Sequence, residues 1–344
     1  MANNDSNEMY NYLLQNYDNV TEENGYYHVT NTSGYKCEGY IPVSYNKGDV
    51  IDVYTFTPGQ GNSGIDQVKS MTEGNDTPSC AIFISSDYRN ETSSHNIVNQ
   101  AATFASDNGM TIANLGAESF SAGTGKMLES VSGYVTNPNN SNTQVTVVMT
   151  EGYTGSVGQG FNWDYQMDKG VYDALSGREN VSIYGVSSTS PNNKHQRNSI
   201  NNYSRLAENG IDVVYINTDE IGHGEKMTES IDNGMTLYLM GLKSELGNDS
   251  PHGKSNYQTY TFVDGKLVRN GEISDYAGVD NKVFITDDLL NEDKYGSIRT
   301  YGQDSTSVVT SEKIETPEKY AHLKDLKDLS ITIGLTSSVD EGIS

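Results

Sequence analysis

Cysteines, metal-binding motifs and long apolar runs are scarce or missing in this 344-residue sequence. Its two cysteines, Cys37 and Cys80, are too few for a disulfide framework and are not spaced like zinc ligands. It has no D-x-D-x-D-G loop and no H-E-x-x-H motif, so we expect no bound metal. The first residues lack the charged start and following apolar stretch of a signal peptide. We therefore expect neither a signal peptide nor a membrane span. We therefore expect a soluble protein that is made in the cytoplasm.

Basic residues are also scarce. The chain has 22 Lys and Arg against 46 Asp and Glu, which gives a formal net charge of −24. Such a negative field repels nucleic-acid phosphates and anionic membrane surfaces, so we expect neither as a partner. The main effect of the charge is to favour solubility.

Strand-like and helix-like segments alternate through the middle of the chain. Residues 26–245 begin with antiparallel-type strands and continue with strands that are each followed by a helical segment, often ending near glycine. This order predicts an α/β fold with a mostly parallel, doubly wound sheet and antiparallel N-terminal edge strands. Residues 1–25 predict an N-terminal arm. Residues 246–344 predict a hairpin that turns at Asp264-Gly265 and an extended β-rich tail, which we expect to pack on the core or on a partner.

The segment ESFSAGTG (118–125) lies between a predicted strand and a predicted helix. A serine held between small residues at such a junction can occupy a strained turn that lifts its hydroxyl above the sheet. Ser119 and Gly123 occupy the positions two before and two after Ser121. The plainer interpretation is an ordinary serine-rich turn.

This motif, together with the order of elements over 36–245, resembles the α/β-hydrolase superfamily of esterases, lipases and acyl peptidases. In the G-x-S-x-G elbow of that family the serine is the nucleophile, a role that the resemblance gives to Ser121. Ser119 replaces the first glycine, so the chain would be a divergent member. The resemblance implies no cofactor.

The loop TPGQGNSG (57–64) follows a predicted strand and has two interpretations. The resemblance implies a backbone oxyanion hole formed by the amide of Ala122 and by an amide in Gly59, Gln60 or Gly61. The loop also matches G-x-G-x-x-G, with Asp87 beyond the next strand, which would indicate dinucleotide binding. Threonines in the preceding strand, and the β-rich segment before it, are atypical of a first dinucleotide-binding strand.

A general base and an acid are needed to activate a serine. The resemblance places the base at His223, which directly follows the last predicted strand. His95 and His195 lie in loops that fit less well, and His195 remains an open alternative. The loop that usually carries the acid contains no carboxylate. Glu151, after the preceding strand, is the alternative. Asp219 and Glu220 also stand near His223 in sequence, and the absence of any triad acid remains open.

The loop 152–163 is rich in glycine and aromatic residues, and it stands where lids are common. We expect Tyr153, Phe161 and Trp163 to line a substrate pocket, although a plain surface connection is an equal alternative.

Two functions from different classes follow. The first is a serine hydrolase that acts on a small ester or other acyl substrate. The second is an inactive hydrolase-like scaffold, such as a phage virion component, that self-associates or binds a protein partner through 1–25 and 270–344.

Overall fold

A computed structural model gives the conformation of most of the chain up to residue 276. The residues that it describes are 5–31, 37–59, 63–73, 79–85, 97–154, 167–188, 194–218, 222–247 and 257–276. The chain divides into two units, one of Met1–Val268 with Glu272–Val279 and one of Arg269–Gly271 with Asp280–Ser344. Most of the second unit, including the predicted tail beyond the hairpin, lies outside the described residues.

The strands and helices alternate along most of the described chain. The strands are β1 (Asn19–Glu23), β2 (Tyr26–Asn31), β3 (Cys37–Pro42), β4 (Val50–Thr57), β5 (Ala81–Ser85), β6 (Thr111–Phe120), β7 (Gln144–Thr150), β8 (Val181–Ser187), β9 (Val213–Asn217), β10 (Gln258–Val263) and β11 (Lys266–Glu272). The α-helices are α1 (Asp5–Asn16), α2 (Ile65–Ser70), α3 (Ile97–Asp107), α4 (Gly123–Thr136), α5 (Lys169–Leu175), α6 (Lys194–Glu208), α7 (His223–Asp232) and α8 (Met235–Leu239).

All the strands belong to one mixed sheet with the order β1-β2-β3-β5-β4-β6-β7-β8-β9-β10-β11. The strands from β5 to β9 in this order are parallel, while β1, β2 and β3 pair antiparallel at one side. β10 pairs antiparallel with β9. The predicted α/β class with a largely parallel sheet and antiparallel N-terminal strands is therefore confirmed at this level. Asn19–Glu23, within the predicted arm, forms the outermost of these strands.

Two hydrophobic clusters pack on the sheet. Along β4, Ile51 and Val53 belong to one cluster, whereas Tyr54 and Phe56 belong to the other. Because side chains next to each other in a strand point to opposite faces, the two clusters cover opposite faces of the sheet. The first cluster includes side chains of α1, α3, α4, α5 and α6, and the second those of α2, α7 and α8. The central strands are consequently buried along most of their length.

Two elements differ from the sequence-based prediction. The segment TIANLG (111–116) predicts a strand that ends at 116, but β6 runs to Phe120 because the Ser-rich segment stays paired with β4 and β7. The segment EKMTESIDNGMTLYLMGL (225–242) predicts one closing helix, but the structure has two helices there, α7 and α8, with Gly234 at φ 65° between them. A left-handed glycine ends one helix and lets the next begin in a new direction. None of the described helices has the length and apolar character needed to cross a bilayer.

Candidate active site

Ser121 lies in the turn that joins β6 to α4. Its φ of 53° falls in the left-handed region, which a residue with a Cβ seldom adopts and which costs about 1–3 kcal/mol. Its amide donates to the Thr150 carbonyl at 3.0 Å, and its carbonyl accepts from Thr124 N at 3.2 Å. The strained turn predicted between strand and helix is therefore present, and packing on both sides holds it.

Ser119 replaces a glycine of the motif without disturbing this turn. Its side chain is fully buried, and its hydroxyl is hydrogen-bonded to Thr124 Oγ1 at 3.0 Å. A buried hydroxyl needs such a partner. The pairing of Ser119 with Thr124 thus explains how the chain tolerates the divergent residue.

The loop after β4 packs directly against the turn at Ser121. A Cβ on Gly59 would lie 2.6 Å from Ser121 Cβ and 2.9 Å from Phe120 Cδ1. A Cβ on Gly123 would lie 2.5 Å from the Pro58 carbonyl oxygen. Only glycine permits such close approach at both positions.

This packing brings the proposed oxyanion-hole loop to Ser121. Among the described residues, no hydrogen bond donated by the Ala122 amide is found. Gly59 is in place beside the turn, whereas Gln60 and Gly61 lie outside the described residues.

His223 is the first residue of α7, and its ring reaches Ser121. Nε2 lies 3.0 Å from Ser121 Oγ, within hydrogen-bond distance. The ring packs against Phe120 at a centroid distance of 4.5 Å and against Tyr153 at 5.9 Å. At the start of α7, the Gly222 amide donates to the Glu225 carboxylate at 2.9 Å, which fixes the backbone just before the histidine.

Glu151 lies on the other side of the imidazole. Its Oε2 is hydrogen-bonded to His223 Nδ1, and its side chain is fully buried. Its second carboxylate oxygen, Oε1, has no hydrogen-bond partner among the described residues. The residue directly follows β7 at φ 44°, with its amide donating to the Val186 carbonyl at 2.8 Å. The ring of His223 therefore bridges a buried carboxylate and the serine hydroxyl.

The turn at Ser121 and the segment after Glu151 are joined through their backbones. Tyr153 N donates to the Ser121 carbonyl at 2.9 Å, and Gly125 N donates to the Tyr153 carbonyl at 3.1 Å. A Cβ on Gly152 would collide with the Thr124 side chain. These contacts fix the distance between the two segments that carry Ser121 and Glu151.

Tyr153 makes a contact that the sequence did not indicate. Its buried side chain is hydrogen-bonded to that of Ser121, whereas the sequence placed it only in a pocket lining. Burial, reinforced by the Glu151 carboxylate, raises the pKa of Tyr153, so its hydroxyl stays protonated at neutral pH. The sequence distinguishes Tyr153 only by its place in the loop 152–163, and no motif marks it as a partner of Ser121.

A buried carboxylate, Glu118, is a second feature that the sequence did not reveal. It accepts hydrogen bonds from Tyr54 Oη at 3.0 Å, Ser230 Oγ at 2.8 Å and Thr236 Oγ1 at 2.7 Å. Burial raises the pKa of Glu118, while these three hydrogen bonds oppose the rise. Ser230 is on α7 and Thr236 on α8, so Glu118 ties both helices to β6.

The positions of the remaining predicted residues relative to this arrangement are not described. Phe161, Trp163, Asp87, His95, Asp219 and Glu220 all lie outside the described residues, as does the side chain of His195. Among the described residues, no three His, Cys, Asp or Glu side chains are grouped as metal ligands.

Comparison with known proteins gives distant structural likenesses. No model of a protein family and no curated protein matches the sequence. A fungal esterase from Rhizomucor miehei is 14% identical, with 66% of this chain and 85% of that one covered at a TM-score of 0.40. Carboxyl esterase 2 from Tuber melanosporum is 14% identical, with 68% and 90% covered at 0.41. A propionate-bound esterase from Thermogutta terrifontis is 13% identical, with 65% and 97% covered at 0.42.

These solved structures are esterases of the α/β-hydrolase fold, the superfamily that the sequence pattern resembles. At such identities and TM-scores the likeness carries no conclusion about the chemistry of this chain. The contacts among the described residues stand independently of it. Ser121, Glu151 and His223 follow β6, β7 and β9 at the carboxyl ends of parallel strands, in the chain order Ser, Glu, His that α/β-hydrolases use.

Proposed function

We propose that this protein is a serine hydrolase that cleaves carboxylic esters or other acyl bonds, with Ser121 as the nucleophile. The observation that supports this most directly is the continuous contact from the Glu151 carboxylate through the His223 ring to Ser121 Oγ. Hydroxyl, imidazole and buried carboxylate in this order make up the arrangement that activates serine for acyl transfer.

In the first half of the reaction, His223 Nε2 accepts the proton from Ser121 Oγ as the oxygen attacks the acyl carbon. The Glu151 carboxylate holds the proton on Nδ1 and stabilises the imidazolium that forms. The negative charge on the carbonyl oxygen is stabilised by the Ala122 amide and by an amide of the loop beginning at Gly59, each donor contributing about 3–4 kcal/mol. The imidazolium then protonates the departing alcohol, leaving an acyl group on Ser121.

In the second half, water replaces the alcohol. His223 Nε2 accepts a proton from the water as its oxygen attacks the acyl carbon, and then returns that proton to Ser121 Oγ as the acid leaves. p-Nitrophenyl esters with short acyl chains are suitable first substrates.

The proposal is tested by measuring hydrolysis of p-nitrophenyl acetate and butyrate by the wild type, Ser121→Ala and Ser132→Ala. Ser132 is a matched control, since it lies on α4 with its hydroxyl bonded to the Glu129 carbonyl at 2.8 Å. We expect Ser121→Ala to lose activity to the level of buffer and Ser132→Ala to retain it. A wild type that neither hydrolyses these esters nor reacts with a fluorophosphonate would instead favour an inactive scaffold.

None of the described contacts specifically favours that inactive scaffold or a place in a virion. Of the two segments through which the scaffold would bind partners, 1–25 and 270–344, the structure describes 5–25 and 270–276. Gly59 does not favour the dinucleotide interpretation, because its close packing on Ser121 and Phe120 already requires a glycine at this position.

A further inference from the structure

Tyr203 projects from α6 into the sheet beneath the Glu151 turn. Its side chain is fully buried, and its hydroxyl lies between two backbone segments. The hydroxyl accepts a hydrogen bond from Gly152 N at 2.8 Å and donates one to the Met149 carbonyl at 2.5 Å. It therefore bonds to the backbone on both sides of Glu151.

A missing side chain on β8 makes room for this ring. A Cβ on Gly185 would lie 2.5 Å from Tyr203 Cδ2 and 2.7 Å from Cε2, closer than real carbon contacts. Any larger residue at 185 would push the ring away from the sheet. The ring of Tyr203 therefore packs in the space that the absence of a side chain at Gly185 leaves.

The turn that Tyr203 holds is strained. Glu151 has φ 44°, and its carboxylate is buried against His223. A non-glycine residue stays in this backbone region only where its surroundings enforce it. Burial, with the Glu151 carboxylate adding to it, raises the pKa of Tyr203, so the hydroxyl keeps the proton that it donates to Met149.

We propose that Tyr203 is a positioning residue whose hydroxyl closes the Met149–Gly152 turn and thereby holds the Glu151 carboxylate on His223. This inference rests on the proposed function, in which Glu151 orients the histidine. The hydroxyl of Tyr203 is hydrogen-bonded to backbone groups of β7, β8 and the Glu151 turn, so its effect passes through the backbone of the turn.

The test compares Tyr203→Phe with Tyr134→Phe. Both substitutions remove one hydroxyl from a buried tyrosine on a helix. The hydroxyl of Tyr134 is bonded to Thr143 Oγ1 at 3.0 Å, near the amino end of β7 and away from the site. Gly185→Ala serves as a second variant, because it keeps the Tyr203 hydroxyl but displaces the ring.

Four quantities are measured for each variant: kcat and KM on p-nitrophenyl acetate, the melting temperature, and the proton NMR signal of the His223 Nδ1–H hydrogen bond. That signal is assigned by its loss in Glu151→Gln. We expect Tyr203→Phe and Gly185→Ala to lower kcat by about 10- to 100-fold with little change in KM, as a misplaced catalytic group does. The Nδ1–H signal should shift or disappear in both. Tyr134→Phe should retain the signal and the wild-type kcat despite a similar loss of melting temperature.

Wild-type kcat and an unchanged Nδ1–H signal in Tyr203→Phe would overturn the inference. Equal losses of kcat in Tyr203→Phe and Tyr134→Phe would also overturn it, because they would indicate a general loss of stability. A wild type without esterase activity would contradict the proposed function instead. The NMR comparison would still decide whether Tyr203 positions Glu151.

Discussion

Two non-glycine residues with a strained backbone, Ser121 and Glu151, lie at the proposed site. Among the described residues other than glycine, positive φ angles occur at Ser121 and Glu151, and elsewhere at Asn24 and Asp264, which precede glycine in turns. Asn and Asp tolerate this region far better than other residues. Ser121 and Glu151 therefore stand out as residues whose strain is maintained by tertiary contacts.

At the residue scale, the contact between Glu151 and His223 predicts a large catalytic effect. Glu151→Gln keeps the shape of the side chain but does not stabilise the imidazolium or enforce the required tautomer. We expect kcat for p-nitrophenyl acetate to fall by about 10³- to 10⁴-fold with little change in KM. Glu179→Gln, which alters an exposed acid, is the control and should leave kcat unchanged. A Glu151→Gln variant within tenfold of the wild type would remove Glu151 from the mechanism.

A second residue-scale prediction concerns Gly59. Because an added Cβ would meet Ser121 Cβ at 2.6 Å, Gly59→Ala should displace the turn or the loop and lower kcat/KM by at least about tenfold. Gly133→Ala is the matched control, since a Cβ there meets nothing within 4 Å on α4. In that helix the exchange should stabilise the protein by about 0.5–1 kcal/mol. Kinetics and thermal denaturation of both variants check this, and full activity in Gly59→Ala would contradict the packing described.

At the scale of elements, Glu118 links β6 to the helices α7 and α8. Burial raises the pKa of Glu118, so the folded protein binds a proton more readily at this residue than the unfolded chain does. The contribution of Glu118 to stability must then become less favourable as pH rises from about 4.5, its ordinary pKa, through the raised folded value.

The neutral variant Glu118→Gln isolates this effect. We expect the free energy of unfolding of the wild type, relative to Glu118→Gln, to decrease between pH 4.5 and neutral pH. Urea denaturation at several pH values gives the difference directly, and subtraction cancels the titration of the other carboxylates. A difference that stays constant, or grows with pH, would mean that burial does not raise the pKa of Glu118.

Several elements could be predicted from sequence because local patterns determine them. The alternation of strand-like and helix-like segments predicted the parallel strands, and the small residues around Ser121 predicted the junction of β6 and α4. The hydrogen bond between Glu151 and His223 could not be derived in this way, because it depends on the side-by-side pairing of β7, β8 and β9. The same holds for Tyr203 and Gly185, and for Glu118 with its three hydroxyl partners. Each of these contacts joins residues that lie far apart in sequence or lack any motif.

At the scale of the whole molecule, the excess of acidic residues predicts a response to salt. With a formal net charge of −24, like charges repel one another in the compact state. Sodium chloride screens this repulsion, so the melting temperature should rise by roughly a few degrees between 0.02 and 0.5 M, equivalent to about 1 kcal/mol. Differential scanning calorimetry measures the change. A melting temperature that falls with salt would indicate that attractive ion pairs outweigh the repulsion.

The central claim is that Ser121 is a nucleophile activated by His223. The most direct test of this claim is tandem mass spectrometry of the protein after reaction with a fluorophosphonate, because it locates the covalent adduct on one side chain. We predict a single phosphonyl group on Ser121 in the wild type and a strong reduction of that adduct in His223→Ala. An adduct on another residue, or none under conditions that label a known serine hydrolase fully, would contradict the mechanism.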